Sequence, residues 1–157
     1  MDNPEEYIPN TILKMIHIIA TLTLFLSFLN ISFGHCQVPC GVYGDSARFT
    51  QMLEDQTTIA KAIGQISELA GKEDAQSANQ LSRWVATKED HASKIQKIIA
   101  EYFLTQRIKS SSDKYDALLK GAHAVMVAAM KCKQRVDVKN AESLKSAIES
   151  FQSVYEK

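Results

Sequence analysis

Proline is scarce in this chain of 157 residues, with three in all and none after Pro39. Glycine is nearly as scarce, at six. Residues 40 to 157 therefore carry no obligatory helix breaker and little of the chemistry that tight turns require. Period-two alternation is also missing, which removes the pattern of a half-buried strand. The three cysteines, Cys36, Cys40 and Cys132, are too few and odd in number for a disulfide-dense scaffold. Eighteen basic residues balance eighteen acidic ones, and the first 34 residues hold Asp2, Glu5 and Glu6 against Lys14 alone. The remainder carries only about two excess positive charges, which is no footprint of a nucleic-acid binder. No repeat, low-complexity tract, phosphate-binding glycine loop or long heptad register occurs. The Glu-x-x-His pair of a di-iron bundle is missing, since Glu89-Asp90-His91 has the wrong spacing. No serine sits in a nucleophile elbow and His17 lies in the leader, so hydrolase chemistry has no support.

What is present begins with an apolar leader. Residues 12–33 read ILKMIHIIATLTLFLSFLNISF, most apolar from Ile18 to Phe28. The run is short for a transmembrane helix of roughly 20 apolar residues. It suits the core of a signal peptide, with Ser32 and Gly34 as the small residues flanking a cut before His35. The acidic start MDNPEEYIPNT is unusual for such a peptide, and a retained membrane anchor is the competing reading. We expect a removed leader, 1–34, and one domain, 35–157. That domain would enter the secretory route, to be secreted or held in a membrane-bounded organelle, and would need no membrane once the leader is gone.

Apolar residues at helical spacing then mark four segments. Asp45 or Ser46 can cap the first, which carries Phe49, Met52, Leu53, Ile59, Ile63, Ile66 and Leu69 and stops near Gly71. The second starts near Glu73 or Asp74, with Ala78, Leu81, Val85, Ala92, Ile95, Ile98, Ile99, Tyr102 and Phe103 inward. After Ser110-Ser111-Ser112-Asp113, a third carries Tyr115, Leu118, Leu119, Ala122, Met126, Ala129 and Met130. A fourth carries Ala141, Leu144, Ile148, Phe151 and Tyr155. The expected fold is all-α, an antiparallel up-and-down four-helix bundle. Between Ala122 and Met130 only His123 is polar, so the third helix is apolar all round. That pattern predicts a central helix or one covered by another subunit, and hence a homo-oligomer.

The chemistry lies in the stretch His35-Cys36-Gln37-Val38-Pro39-Cys40-Gly41-Val42-Tyr43. If the mature chain starts at His35, its free amine, the Cys36 amide nitrogen and the Cys36 thiolate can chelate one metal through two five-membered rings. The Cys40 thiolate can complete a planar set, which suits nickel(II) or copper(II), whereas zinc prefers a tetrahedron. The His35 imidazole is left for an axial position. Pro39 and Gly41 suit the return turn.

His-Cys-x-x-Pro-Cys-Gly-x-Tyr ahead of four helices resembles nickel-containing superoxide dismutase, over essentially all of residues 35–157. The resemblance implies a nickel-binding N-terminal hook on a four-helix bundle, assembled as a hexamer, that disproportionates superoxide to dioxygen and hydrogen peroxide. It assigns the metal to His35, Cys36 and Cys40, with His35 and Tyr43 taking part in catalysis at the open face. Tyr102, in Tyr102-Phe103, matches the family's tyrosine beside the hook tyrosine. The glutamate and arginine that orient the family's hook imidazole align near Thr50 or Gln51 and at His91, so both identities depart from the pattern and Glu54 is a substitute partner. The rival is a non-catalytic, membrane-tethered helical module whose uncut Cys36 and Cys40 form a disulfide or handle metal. Cys132 reads as a small buried hydrophobe, and His123 as an ordinary helix residue.

Overall fold

The computed structural model describes residues 9–27 and 44–157. The chain divides into two units, Met1–His35 and Cys36–Lys157, and each is taken by itself. In the first, helix α1 spans Asn10–Ser27. Pro9 suits its start, because the Pro9 carbonyl accepts from the amides of Ile12 and Leu13 and a proline there forfeits no helical donor. Thr21 and Thr23 return their hydroxyls to backbone carbonyls three and four residues earlier, which satisfies polar groups within an apolar sequence. Among the described residues no helix is long and apolar enough to cross a membrane.

The second unit is helical throughout its described residues apart from turns. Helix α2 spans Ser46–Leu69, α3 Ala75–Lys97, α4 Tyr115–Gln134 and α5 Val138–Glu156. Between α3 and α4 the helix widens into a π-helical stretch, Ile98–Arg107. Two helix starts follow directly from the sequence. Asp74 accepts from the Ser77 amide and Asp137 from the Lys139 amide, each satisfying an N–H that the first turn leaves free. Helix α2 ends before Gly71, whose φ of 83° only glycine adopts without strain.

Helix α2 packs on α3 and α5, and α4 packs on the same two. The core they enclose contains most of the expected stripes: Phe49, Met52, Ile59, Ile63 and Ile66 of α2, and Ala141, Leu144, Ile148 and Phe151 of α5. Its densest part is aromatic. The Phe49 ring lies 4.8 Å from Phe103 and 5.4 Å from Phe151, and Phe103 meets Phe151 edge-on at 5.0 Å. Cys132 is fully buried in the same core and His123 is exposed, both as read from the sequence.

Helix α3 departs from expectation in its first half. Ala78 and Val85 are exposed, Val85 by 40%, while Leu81 and Trp84 are partly covered and Lys88 is buried. The helix is rotated so that Leu81, Trp84, Lys88, Ala92 and Ile95 form its inner row at intervals of three and four. Lys88, at 3% exposure, is acceptable there because its ammonium is fully engaged. It donates to the Cys132 and Lys133 carbonyls at 2.8 and 2.5 Å and to Glu89 Oε1 at 2.7 Å. A cation thus satisfies the free carbonyls at the C-terminal end of α4, where the helix dipole is negative.

Two substitutions test this packing. A Cβ built on Gly64 meets nothing within 4 Å, whereas one on Gly121 comes within 2.9 Å of Phe151 Cδ2. Gly64→Ala should stabilise the protein by about 1 kcal/mol through helix propensity. Gly121→Ala should destabilise it by about 1–2 kcal/mol, because the overpacking outweighs the same gain. Urea melts of the two variants would show opposite shifts in midpoint. Lys88→Met, although more apolar, should cost about 2 kcal/mol by leaving the α4 carbonyls without their charged donor, read as a lower urea midpoint.

Candidate functional site

The residues expected to bear the chemistry, His35, Cys36, Cys40 and Tyr43, lie outside the described residues. Among the described residues no three His, Cys, Asp or Glu side chains converge so as to hold a metal ion. What the structure gives is the surface that the hook sequence joins, and its centre is Asp45.

Both oxygens of Asp45 are occupied from other elements. The Tyr102 hydroxyl donates to Oδ1 at 2.5 Å. The Tyr155 hydroxyl and the Arg107 Nη2 both donate to Oδ2 at 2.6 Å, and the Arg107 Nε adds a longer bond at 3.2 Å. Arg107 Nε also lies 3.3 Å from the Tyr155 hydroxyl. The start of α2 is thereby tied to the π stretch and to the end of α5.

The π register explains why Tyr102 and Arg107 serve one carboxylate. Its hydrogen bonds close at five residues instead of four, as from the Ile108 amide to the Phe103 carbonyl at 2.9 Å. Each turn therefore takes in an additional residue, and positions 102 and 107 come onto one side of the cylinder. In an α-helix a spacing of five would separate them. Thr105 uses the same interval, donating to the Ala100 carbonyl at 2.7 Å.

The electrostatics follow from these contacts. Burial opposes ionisation of Asp45, but hydrogen bonds from Tyr102, Tyr155 and Arg107, with the guanidinium charge, outweigh it and hold the carboxyl below its usual value. Tyr102, 4% exposed, is pushed up to about 12, first by burial and then by its bond to Asp45 and that residue's charge. Burial and the Asp45 bond also raise Tyr155. Arg107 is held more firmly protonated, chiefly by its hydrogen bond to Asp45.

A second polar pair sits deeper. His91 Nδ1 donates to Asp55 Oδ1 at 2.6 Å, and Asp55 Oδ2 is buried with no hydrogen-bond partner. Burial raises the Asp55 carboxyl above its usual value, although the His91 bond and charge pull the other way. Asp55 is ten residues into α2 from Asp45, about 15 Å along the axis. Tyr102 thus meets Asp45, two residues after Tyr43 in the chain, and His91 is bonded to Asp55. Thr50 bonds back to the Ser46 carbonyl, Gln51 accepts from Arg48 at 2.8 Å, and Glu54 is exposed. Asp55 and Arg107 carry no signal in the sequence, and the spacing of an ordinary helix would not put Arg107 on the same side as Tyr102.

The described domain is all-helical, with a segment bearing two thiols and an imidazole leading directly into the clamped start of α2. That combination defines a small helical metalloenzyme. The family model for nickel-containing superoxide dismutase matches residues 30–157, and the chain belongs to that family. It is an oxidoreductase, a superoxide dismutase with nickel as its cofactor. No curated protein and no solved structure gives a match to the chain.

Because the Asp45 carboxyl is depressed in the folded state, its contribution is present above about pH 4 and is lost as pH falls through the folded value. Asp45→Asn should be less stable than the parent at pH 7 by about 1–2 kcal/mol. Between pH 4 and 2 it should lose less further stability than the parent, as read in urea melts across that range.

Proposed function

We propose that nickel is held by a hook formed by the processed N-terminus, and that the chain disproportionates superoxide there by cycling the metal between its divalent and trivalent states. The observation that carries this reading is the donor set itself: His35, Cys36 and Cys40 within six residues, in a chain of the nickel-containing superoxide dismutase family. The His35 amine and imidazole, the Cys36 amide and the two thiolates fit nickel well, since nitrogen and thiolate ligands suit a metal that prefers a planar field. When bound, the metal supplies the one-electron couple, which thiolate and amide donation brings between the two half-reactions of superoxide.

Each full cycle also takes two protons. Tyr102 is poorly suited to give them, because its proton is engaged by Asp45 and its hydroxyl is pushed up to about 12. Tyr102 therefore has an orienting role beside Tyr43, and Tyr43 stands at the open face where a small anion and its protons arrive. His91, bonded through Nδ1 to Asp55, is the other residue that supports the hook from behind.

The same proposal includes an antiparallel up-and-down bundle behind the hook. It is supported by pairings that rise along one helix and fall along the next. Asp45 meets Tyr102 while Asp55 meets His91, and Lys88 meets Cys132 while Gln96 meets Met126. Along α2 and α5, Asp45 meets Tyr155 while Gln56 meets Ala141. We also propose assembly as a hexamer, supported by α4, which leaves Met130 40% exposed and Ala124 at the surface. A leader, 1–34, removed in the secretory route, with the mature protein secreted or held in a membrane-bounded organelle and free of the membrane, completes the reading.

The test begins with the natural protein, whose intact mass should correspond to a chain starting at His35. Loaded with nickel, that form should disproportionate superoxide, and Cys36→Ser or Cys40→Ser should reduce the rate to background. A chain that keeps Met1 or Asp2 at its start, or serine variants that retain full activity, would sink the proposal in favour of the tethered module.

A further inference from the structure

Asp45 does not do what its position suggests. A carboxylate just ahead of a helix ordinarily accepts from the free amides of the first turn, a bond worth about 1 kcal/mol. Asp74 and Asp137 behave that way at α3 and α5. Asp45 makes no such bond, and its backbone is already helical at φ −74° and ψ −28°. Its two oxygens are directed sideways to Tyr102, Tyr155 and Arg107. The residue before it, Gly44, has φ of 75°, a conformation that disfavours any side chain. Starting a helix requires neither feature. Two constrained residues thus stand in succession directly after Tyr43, four and five residues after Cys40.

We propose that the Asp45 clamp, with the left-handed turn at Gly44, is a positioning device for the nickel-binding segment, fixing the point and direction at which that segment joins the helices. The proposal rests on the hook reading above. Covalent geometry gives it reach. Two extended residues span at most about 7 Å, so the Tyr43 Cα is confined to that distance from the Asp45 Cα, and the Cys40 Cα to about 18 Å. With Asp45 tied to three side chains on two other elements, the root of the segment cannot shift or swivel without breaking charge-assisted bonds. A donor set on so short a tether keeps its geometry only if its root is fixed, because small misplacements around a metal cost affinity and alter its electronic environment. Asp45, Arg107 and Tyr155 are thus positioning residues, acting on the metal through the chain and not by touching it.

The experiment uses the processed, nickel-loaded protein and reads two signals besides activity: thiolate-to-nickel charge-transfer absorption and the rate at which EDTA strips the metal. Asp45→Asn should fold, show a shifted band and lose nickel at least tenfold faster. Asp74→Ala, which removes an ordinary cap far along the chain, serves as the control for lost stability. It should lower the melting temperature while leaving band and stripping rate as in the parent. If Asp45→Asn fails to fold, Arg107→Lys decides by the same two readouts, since it keeps the charge and loses the paired nitrogens. Parent-like band and stripping rate in the folded clamp variant, with the band still abolished by Cys36→Ser and Cys40→Ser, would overturn the clamp and leave the hook standing. A parent protein with no cysteine-dependent nickel band would overturn both.

Discussion

Three phenylalanines hold together the end of this domain at which α2 starts and α5 finishes. Phe49, Phe103 and Phe151, all fully buried, come from α2, the π stretch and α5 and meet at tilted or edge-on angles. Rings in such contact resist rotation of the helices that bear them, because each ring's face is matched to a neighbour's edge. The rest of that end follows by short steps. Asp45 lies one turn before Phe49, Tyr102 lies beside Phe103, and Tyr155 lies one turn after Phe151. The polar clamp is built on the same three elements as the aromatic cluster and stands over it. Gly121 belongs to the same arrangement, because only a residue without Cβ lets α4 approach the Phe151 ring so closely.

The three buried polar side chains among the described residues, Asp55, Gln56 and Lys88, each bridge two helices. Gln56 donates to the Ala141 carbonyl at 2.8 Å, Lys88 closes the end of α4, and Asp55 holds His91. Each group is costly to bury without a partner, so a slip of one helix along another would strand several of them together. Apolar contact alone tolerates such slips more readily. The polar bridges therefore set the register in which the aromatic cluster and the Asp45 clamp can form. They extend from Lys88 and Cys132, through Asp55 and His91, to Asp45 and Tyr102, so that the half of the domain nearest the start of α2 is tied together by them.

Much of this was legible in the residues. The stripes of α2 and α5 lie inward as their spacing indicated, and Asp74 starts α3 where a cap was expected. The family could be read from one segment, because a histidine and two cysteines at that spacing leave few other uses. The first half of α3 was harder, since Ala78 and Val85 are apolar enough to suggest an inner face that the helix does not adopt. Lys88 takes the inner position because α4 supplies carbonyls for its charge, and nothing local to α3 announces those carbonyls. The π stretch was hidden for a similar reason: sequence spacing is read against a turn of fixed size, and here the turn is larger.

The amino-acid sequence by itself determined which atoms are available for chemistry and that the scaffold is helical, because ligand identity and hydrophobic period are local properties of the chain. Tertiary structure alone decided what Asp45 is for. As a residue before a helix it reads as a cap, and only the arrival of Tyr102, Arg107 and Tyr155 from elements 57 to 110 residues away makes it a clamp. A carboxylate takes the strongest donors that surround it, and which donors surround it is settled by packing.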